Sequence, residues 1–198
     1  MARRGAGRRR SRQPTRLTHR RLLVVCGGQV TEPQYFQGLR DFVGNRGVHV
    51  KVVIEDRSPH YIVKKAAESL KTDDFDQVWC VFDVDDFDCT AALTEARRRG
   101  VNIAMSHPCF DLWLLLHFED CLTHVDGYQA IKPRLRRHIP DYGTSKSGKS
   151  VDFAMYRDRI SHALRRAKDL DQNHERPHAN PSTGVWRLVE SIMEETRG

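Results

Sequence analysis

VWCVFDVDDFD, residues 78–88, opens as an apolar run and breaks into four carboxylates over its last six positions. Side chains alternate faces along a strand, so Asp83 and Asp85 project together from its carboxyl end, the edge at which open parallel sheets bind their ligands. Hard divalent cations take oxygen ligands, and Mg²⁺ is commonly held by one or two carboxylates while phosphate oxygens and water complete its shell. Asp83 and Asp85, with Asp86 in support, are therefore candidate ligands for Mg²⁺ or Mn²⁺. The competing reading is that Asp86 or Asp88 caps the helix running through AALTEARRR and that the others are solvated. Capping needs one aspartate, and this stretch carries four.

Outward from that stretch, the chain alternates apolar runs with helical patterns. LLVVC (22–26) predicts a buried strand, closed by a turn at Gly27 and Gly28. Thr31 followed three residues later by Gln34 resembles a capping box, with Pro33 in the first turn, so a helix begins near Glu32. HVKVVIE (49–55) predicts a second strand and YIVKKAAESL (61–70) a helix; QVWCVFD (77–83) is a third strand. The helix through 91–99 ends at Gly100, and VNIAMS (101–106) is a fourth strand. Continuous apolar strands alternating with helices of about ten residues predict an α/β fold, a mostly parallel sheet with helices on both faces.

HPCFDLWLLLHF (107–118) is apolar on nearly every side, which predicts an almost fully buried helix opened by Pro108. Asp111 is its anomaly: a buried carboxylate is costly unless it is paired, bound to metal or aimed from the first helical turn into a cleft. It stands equally as a catalytic candidate and as a first-turn acid satisfied by the helix dipole. His117 reads as a hydrogen-bonded core residue. From Gly127 the character changes, giving a helical extension over 127–198 packed on an α/β core of 22–126. It comprises a basic helix around IKPRLRRH, a polar loop DYGTSKSGKS, an amphipathic helix over about 152–169 and a last helix over 183–195. Lys146 and Lys149, with Arg134, Arg136 and Arg137, are candidate phosphate contacts, solvation being the default for such side chains.

GTSKSGKS (143–150) literally matches the phosphate-binding loop G-x-x-x-x-G-K-[ST]. That loop works only between a buried strand and a helix, and LRRHIPDY, which precedes it, is poor strand material. A flexible loop that touches phosphates is the reading retained.

The chain's net charge of +7 is set by its beginning. Residues 1–21 hold nine Arg, no Lys and no acid; of 33 basic residues this leaves 24 against 26 acidic ones, so the body is at −2. Such a run cannot bury apolar surface and predicts a disordered tail, either a polyanion-binding arm or a solubility arm. No signal-peptide h-region and no membrane-spanning run is present, which predicts a cytoplasmic protein without membrane contact. The five cysteines form no Cys-x-x-Cys pair and read as small buried hydrophobes of a reducing compartment.

Taken together, LLVVCGGQVTEPQYFQGLR, VWCVFDVDDFD, MSHPCFDLWLLLHF and NPSTGVWRLVE, in that order, resemble the RloB-like family of bacterial phage-defence (abortive infection) proteins. The resemblance implies a Rossmann-like sheet of Toprim type whose acids bind Mg²⁺ for phosphodiester chemistry on RNA or DNA. It also implies action beside an ATPase or a restriction-modification system. One position departs from the pattern: the family glutamate just after the first strand is Gly27 here. Glu32 of the T-E-P block, the Asp83/Asp85 pair and Asp111 are kept. The resemblance then implies either a nuclease in which Glu32 or Asp111 moves the proton, or a nucleic-acid-binding or sensor subunit that does not cut.

Overall fold

The computed structural model describes residues 20–44, 48–84, 89–144, 148–171 and 179–194. The Arg-rich run before residue 20, and with it most of the expected tail, lies outside the described residues. So do Asp85, Asp86, Asp88 and Lys146.

The centre is a five-stranded sheet of order β2-β1-β3-β4-β5. Its strands are β1 (Arg20–Cys26), β2 (Val48–Ile54), β3 (Gln77–Asp83), β4 (Asn102–His107) and β5 (Ser182–Thr183). The first four are parallel, and β5 alone pairs antiparallel. The four parallel strands fall within two residues of their expected bounds: β1, β3 and β4 are apolar runs buried on both faces, and β2, at the sheet edge, buries Val48 and Val50 and exposes His49 and Lys51 between and after them. β1 begins two residues early: Arg20 and Arg21 belong to it, Arg20 donating to Ser191 Oγ at 2.6 Å and the Arg21 amide to Asp76 Oδ2 at 2.7 Å.

Alternation along the strands sorts their side chains into two cores. Leu22, Val24 and Cys26 of β1 and Trp79 and Val81 of β3 face one side. There they meet α1 (Thr31–Val43), α4 (Asp111–Leu116), α5 (Gly127–Arg136), α6 (Ile160–Leu170) and α7 (Val185–Glu194). Leu23, Val25, Val78, Cys80 and Phe82 face the other side, against α2 (Pro59–Thr72) and α3 (Thr90–Arg99). The region from 127 onward thus contributes a sheet strand as well as helices to the larger core.

The strand order fixes where a ligand site can form. From β1 the chain passes through α1 on one face outward to β2, and from β3 through α3 on the opposite face outward to β4, so the connections leaving β1 and β3 diverge. That divergence opens a crevice at the carboxyl ends of β1 and β3, the topological switch point of an open α/β sheet. Cys26 pairs with Val81, and two steps further the chain carries Gly28 out beside Asp83.

Three expectations change against the structure. The capping box at Thr31 does not form. Thr31 is already helical and its hydroxyl bonds the Lys149 carbonyl at 3.4 Å, while Gln34 accepts from the Val151 amide at 2.7 Å. The amphipathic helix expected from 152 begins only at Ile160. Before it lie two 3-10 turns, Phe153–Met155 and Arg157–Arg159, because Phe153 is pinned on α1, where a Cβ at Gly38 would stand 2.3 Å from the Phe153 Cβ. The buried helix at 107–118 is α4, only Asp111–Leu116, since residues 108–110 form the turn out of β4.

Candidate functional site

Glu32, Asp83, Asp111 and Lys149 line one cleft of about 350 Å³ at the switch point, together with Gly28 and Phe110. Each arrives by a different route. Asp83 is the last residue of β3, on the face of Trp79 and Val81, and its Oδ1 accepts the Phe110 amide at 2.8 Å. That bond ties the carboxyl end of β3 to the turn that begins α4. Glu32 sits in the first turn of α1 and Asp111 in the first turn of α4. The two helices are locked by Tyr35, whose hydroxyl donates to His117 Nε2 at 3.1 Å and whose ring packs edge-on against Phe110 and Trp113. An apolar, fully buried clamp thereby sets the spacing of two carboxylates.

Glu32 is 6 % exposed. Burial raises its proton affinity above that of an ordinary carboxylate, and the charge of Asp111 adds to this. Lys149 and the backbone N–H groups of residues 28 and 32 oppose the shift without cancelling it. Gly28 makes the placement of Glu32 sterically feasible, since a Cβ at 28 would lie 2.1 Å from Glu32 Oε2. Gly27 has a different role. A Cβ there would face the α2 side, 3.1 Å from Ile62 Cδ1 and 3.3 Å from Phe82 Cβ, a tight fit that those side chains would have to yield to by a few tenths of an ångström. The carboxylate beside the end of β1 is supplied by Glu32, from one turn later.

Asp111, 2 % exposed, is satisfied on both oxygens: Tyr142 donates to Oδ1 at 2.5 Å and Lys149 Nζ lies 3.1 Å from Oδ2. Lys149 also lies over the Tyr128 ring, 3.8 Å from its centroid, a cation–π contact that further fixes the ammonium. The loop carrying Lys149 is held at both feet. Gly143 and Gly148 are joined by a 2.6 Å backbone bond. Arg136 donates to the Tyr142 and Gly143 carbonyls at 2.8 and 3.1 Å. Gly143, at φ 66°, lets the loop approach α5, where a Cβ would stand 2.3 Å from the Tyr128 hydroxyl.

This settles the context of the GTSKSGKS match. Among the described residues no strand leads into the loop and no α-helix follows it directly; α5 and a turn precede it, and a 3-10 turn comes after. The strand and helix that flank a phosphate-binding loop are thus missing among the described residues.

The arginines of α5 and its end are engaged within the chain. Arg134 bonds Glu119 at 2.6 Å and the Asp120 carbonyl at 2.6 Å, Arg137 bonds Glu119 at 2.9 Å, and Arg136 holds the loop. They stabilise the wall of the cleft, and Lys149 alone of the described basic candidates lines it. Tyr128 and Tyr142 were not anticipated. Tyr142 stands in an aperiodic loop, and its partner Asp111 is 31 residues away, so no local pattern marks it.

Among the described residues no three His, Cys, Asp or Glu side chains are grouped closely enough to hold a metal ion. Another hollow, of about 360 Å³, lies against α3 and the start of β4, lined by Leu93, Asn102 and Arg187 and by no carboxylate. No helix among the described residues is long and apolar enough to cross a membrane.

No curated protein and no solved structure matches the chain. The family model described as RloB-like protein matches residues 22–192, which span every described strand and helix from β1 into α7. The chain belongs to the RloB-like family.

Proposed function

We propose that this chain is a metal-dependent nuclease that cleaves phosphodiester bonds of RNA or DNA in a bacterial anti-phage, abortive-infection system, beside an ATPase or restriction-modification partner. The observation that carries the chemistry is the convergence of Glu32 and Asp83, with a fixed Lys149, in one crevice at the sheet's switch point. Membership of the RloB-like family supports the defence setting of this proposal.

The donor chemistry fits a hard divalent cation. Glu32 and Asp83 offer carboxylate oxygens, and the proton affinity of Glu32 is raised by burial first and by the neighbouring Asp111 charge second, a penalty on its anion that a bound cation would relieve. Asp83 would hold Mg²⁺ or Mn²⁺ with Asp85 and Asp86. When bound, the ion polarises the scissile phosphate and lowers the pKa of an attacking water.

The remaining work falls to the chain's own residues. Glu32 moves the proton, because a carboxyl raised toward the working pH accepts and returns protons more effectively than an ordinary one. Lys149 neutralises a phosphate oxygen. Asp111, with both oxygens occupied and almost no exposure, is a positioning residue that aims Lys149.

A second reading is a nucleic-acid-binding or sensor subunit that does not cut, favoured by the glycine that stands at position 27 in place of the family glutamate. Cleavage of end-labelled tRNA, single-stranded DNA and duplex DNA in Mg²⁺ and in Mn²⁺ separates the two. The nuclease predicts cleavage that Asp83→Ala and Glu32→Gln each reduce at least about 100-fold. Salt-sensitive binding without cleavage in either metal gives the second reading.

A further inference from the structure

The crevice has a second lobe. On the α2 side, Gly28, Glu32 and Asp83 are shared with a hollow of about 280 Å³, floored by Gly27 and walled by Pro59, Ile62 and Phe82. Its floor carries no side chain and its walls are apolar, whereas its rim is polar, with Asp56 and Arg57. A pocket of this kind, apolar with a few polar groups at one edge, suits a flat heteroaromatic ring.

The rim is organised. Gln29 Nε2 donates to Asp56 Oδ2 at 2.5 Å, which orients that carboxylate at the mouth. The Arg57 guanidinium lies over the Tyr61 ring, 5.5 Å from its centroid, and has no carboxylate partner among the described residues. Tyr61 is 43 % exposed and Arg57 is exposed. A planar cation backed by an aromatic ring, beside an apolar slot, is a stacking platform of the kind that receives unstacked bases.

We propose that this second lobe takes an unstacked base of the strand whose phosphate lies over Glu32 and Asp83, so that the substrate is a single strand or an unpaired loop rather than a continuous duplex. The inference rests on the phosphodiester reading above and names its substrate class. A base held in a duplex stack cannot enter such a slot without being extruded. Asp56 then serves as an acceptor for an exocyclic or ring N–H at the edge of the base.

The test is fluorescence-anisotropy binding by the full chain at about 0.2 M salt, where phosphate contacts are weakened. The ligands are a labelled single-stranded oligonucleotide, the same backbone with abasic sites, and a blunt duplex. We expect the base-bearing strand to bind about tenfold more tightly than the abasic strand, and Arg57→Ala and Tyr61→Ala each to erase most of that difference. Both side chains are exposed, and melting curves check that the variants fold. Equal binding of base-bearing and abasic strands, variants that keep the preference, or a duplex that binds as well as the single strand would overturn the inference. The cleavage reading fails separately. A base-dependent preference with no cleavage in Mg²⁺ or Mn²⁺ removes the nuclease and leaves this lobe assigned, whereas cleavage with no base discrimination removes the lobe alone.

Discussion

The carboxylate of Glu32 occupies the space into which a side chain at Gly28 would project: a Cβ there would stand 2.1 Å from Oε2 and 2.3 Å from Oε1. Steric exclusion at the end of β1 thus determines where this acid, its proton affinity raised by burial, comes to rest. The atoms in conflict are the far end of a flexible side chain, so Gly28→Ala would displace the carboxylate rather than disrupt the sheet. An alanine also restricts the unfolded chain, which offsets part of any cost. Cleavage by Gly28→Ala is expected to fall about 100-fold with melting changed by no more than a few degrees. Full cleavage by a folded Gly28→Ala would falsify the role given to this placement.

Glu32→Gln isolates the electrostatic part. Because burial raises the carboxyl above its ordinary 4.5, the folded chain holds this proton more tightly than the unfolded one. Stability from this group is therefore greatest at acid pH and declines as pH climbs through 4.5 toward the raised value. The neutral amide is free of that penalty. At pH 8 the variant is expected to be more stable than the parent by on the order of 1 kcal/mol, about 2–4 °C in Tm for a chain of this size. The advantage should disappear near pH 4, and paired melts at the two pH values read it directly. A variant less stable at pH 8 than at pH 4, relative to the parent, contradicts the assignment.

What the sequence made legible follows the range of the interactions involved. β1, β3 and β4 could be read because strands buried on both faces must be apolar throughout, β2 because its valines alternate with the exposed His49 and Lys51, and Asp83 stood out because it ends an apolar run. β5 could not be read. Ser182 and Thr183 are strand only because they pair with His107 and Ser106, where the Ser106 and Thr183 hydroxyls lie 2.8 Å apart. Asp111 was recognisable as an anomaly from its apolar neighbours, but its partners were not. Tyr142 and Lys149 reach it through a loop whose path is set by Arg136 and Gln34, contacts made across α5 and α1. Gln34 itself looked like half of a capping box and is instead an anchor for that loop.

The Asp111, Tyr142 and Lys149 group makes a prediction about coupling. Removing Asp111 leaves the Tyr142 hydroxyl buried without its acceptor and releases the ammonium, so Asp111→Ala is expected to cost about 3 kcal/mol. Lys149 is 40 % exposed at its side chain, so its share of the pair is screened and Lys149→Met should cost only about 1 kcal/mol. The double variant should be less destabilised than the two singles added together, by about 0.5–1 kcal/mol. Urea titrations of the four proteins close the cycle, and strict additivity would show that the pair contributes no coupling. Cleavage, in contrast, should fall in both single variants, because each removes the aimed ammonium.

His117 gives the fold an acid-sensitive point away from the cleft. It is fully buried and neutral, donating from Nδ1 to the Trp113 carbonyl at 2.9 Å and accepting at Nε2 from Tyr35. Burial pulls its pKa down from 6.5 to about 3. Below pH 6.5 the unfolded chain therefore takes up a proton that the folded chain refuses, and stability drains as pH falls through that window toward 3. The contribution is at most about 1.4 kcal/mol per pH unit. His117→Gln keeps a donor and an acceptor but cannot titrate, so its stability curve should be flatter than the parent's between pH 6 and pH 4, even if it is less stable at pH 7. Because Tyr35 also sets the spacing of α1 and α4, cleavage by the parent should decline over the same acid range in which the clamp weakens. Parallel slopes for the two proteins would mean that the acid sensitivity arises elsewhere.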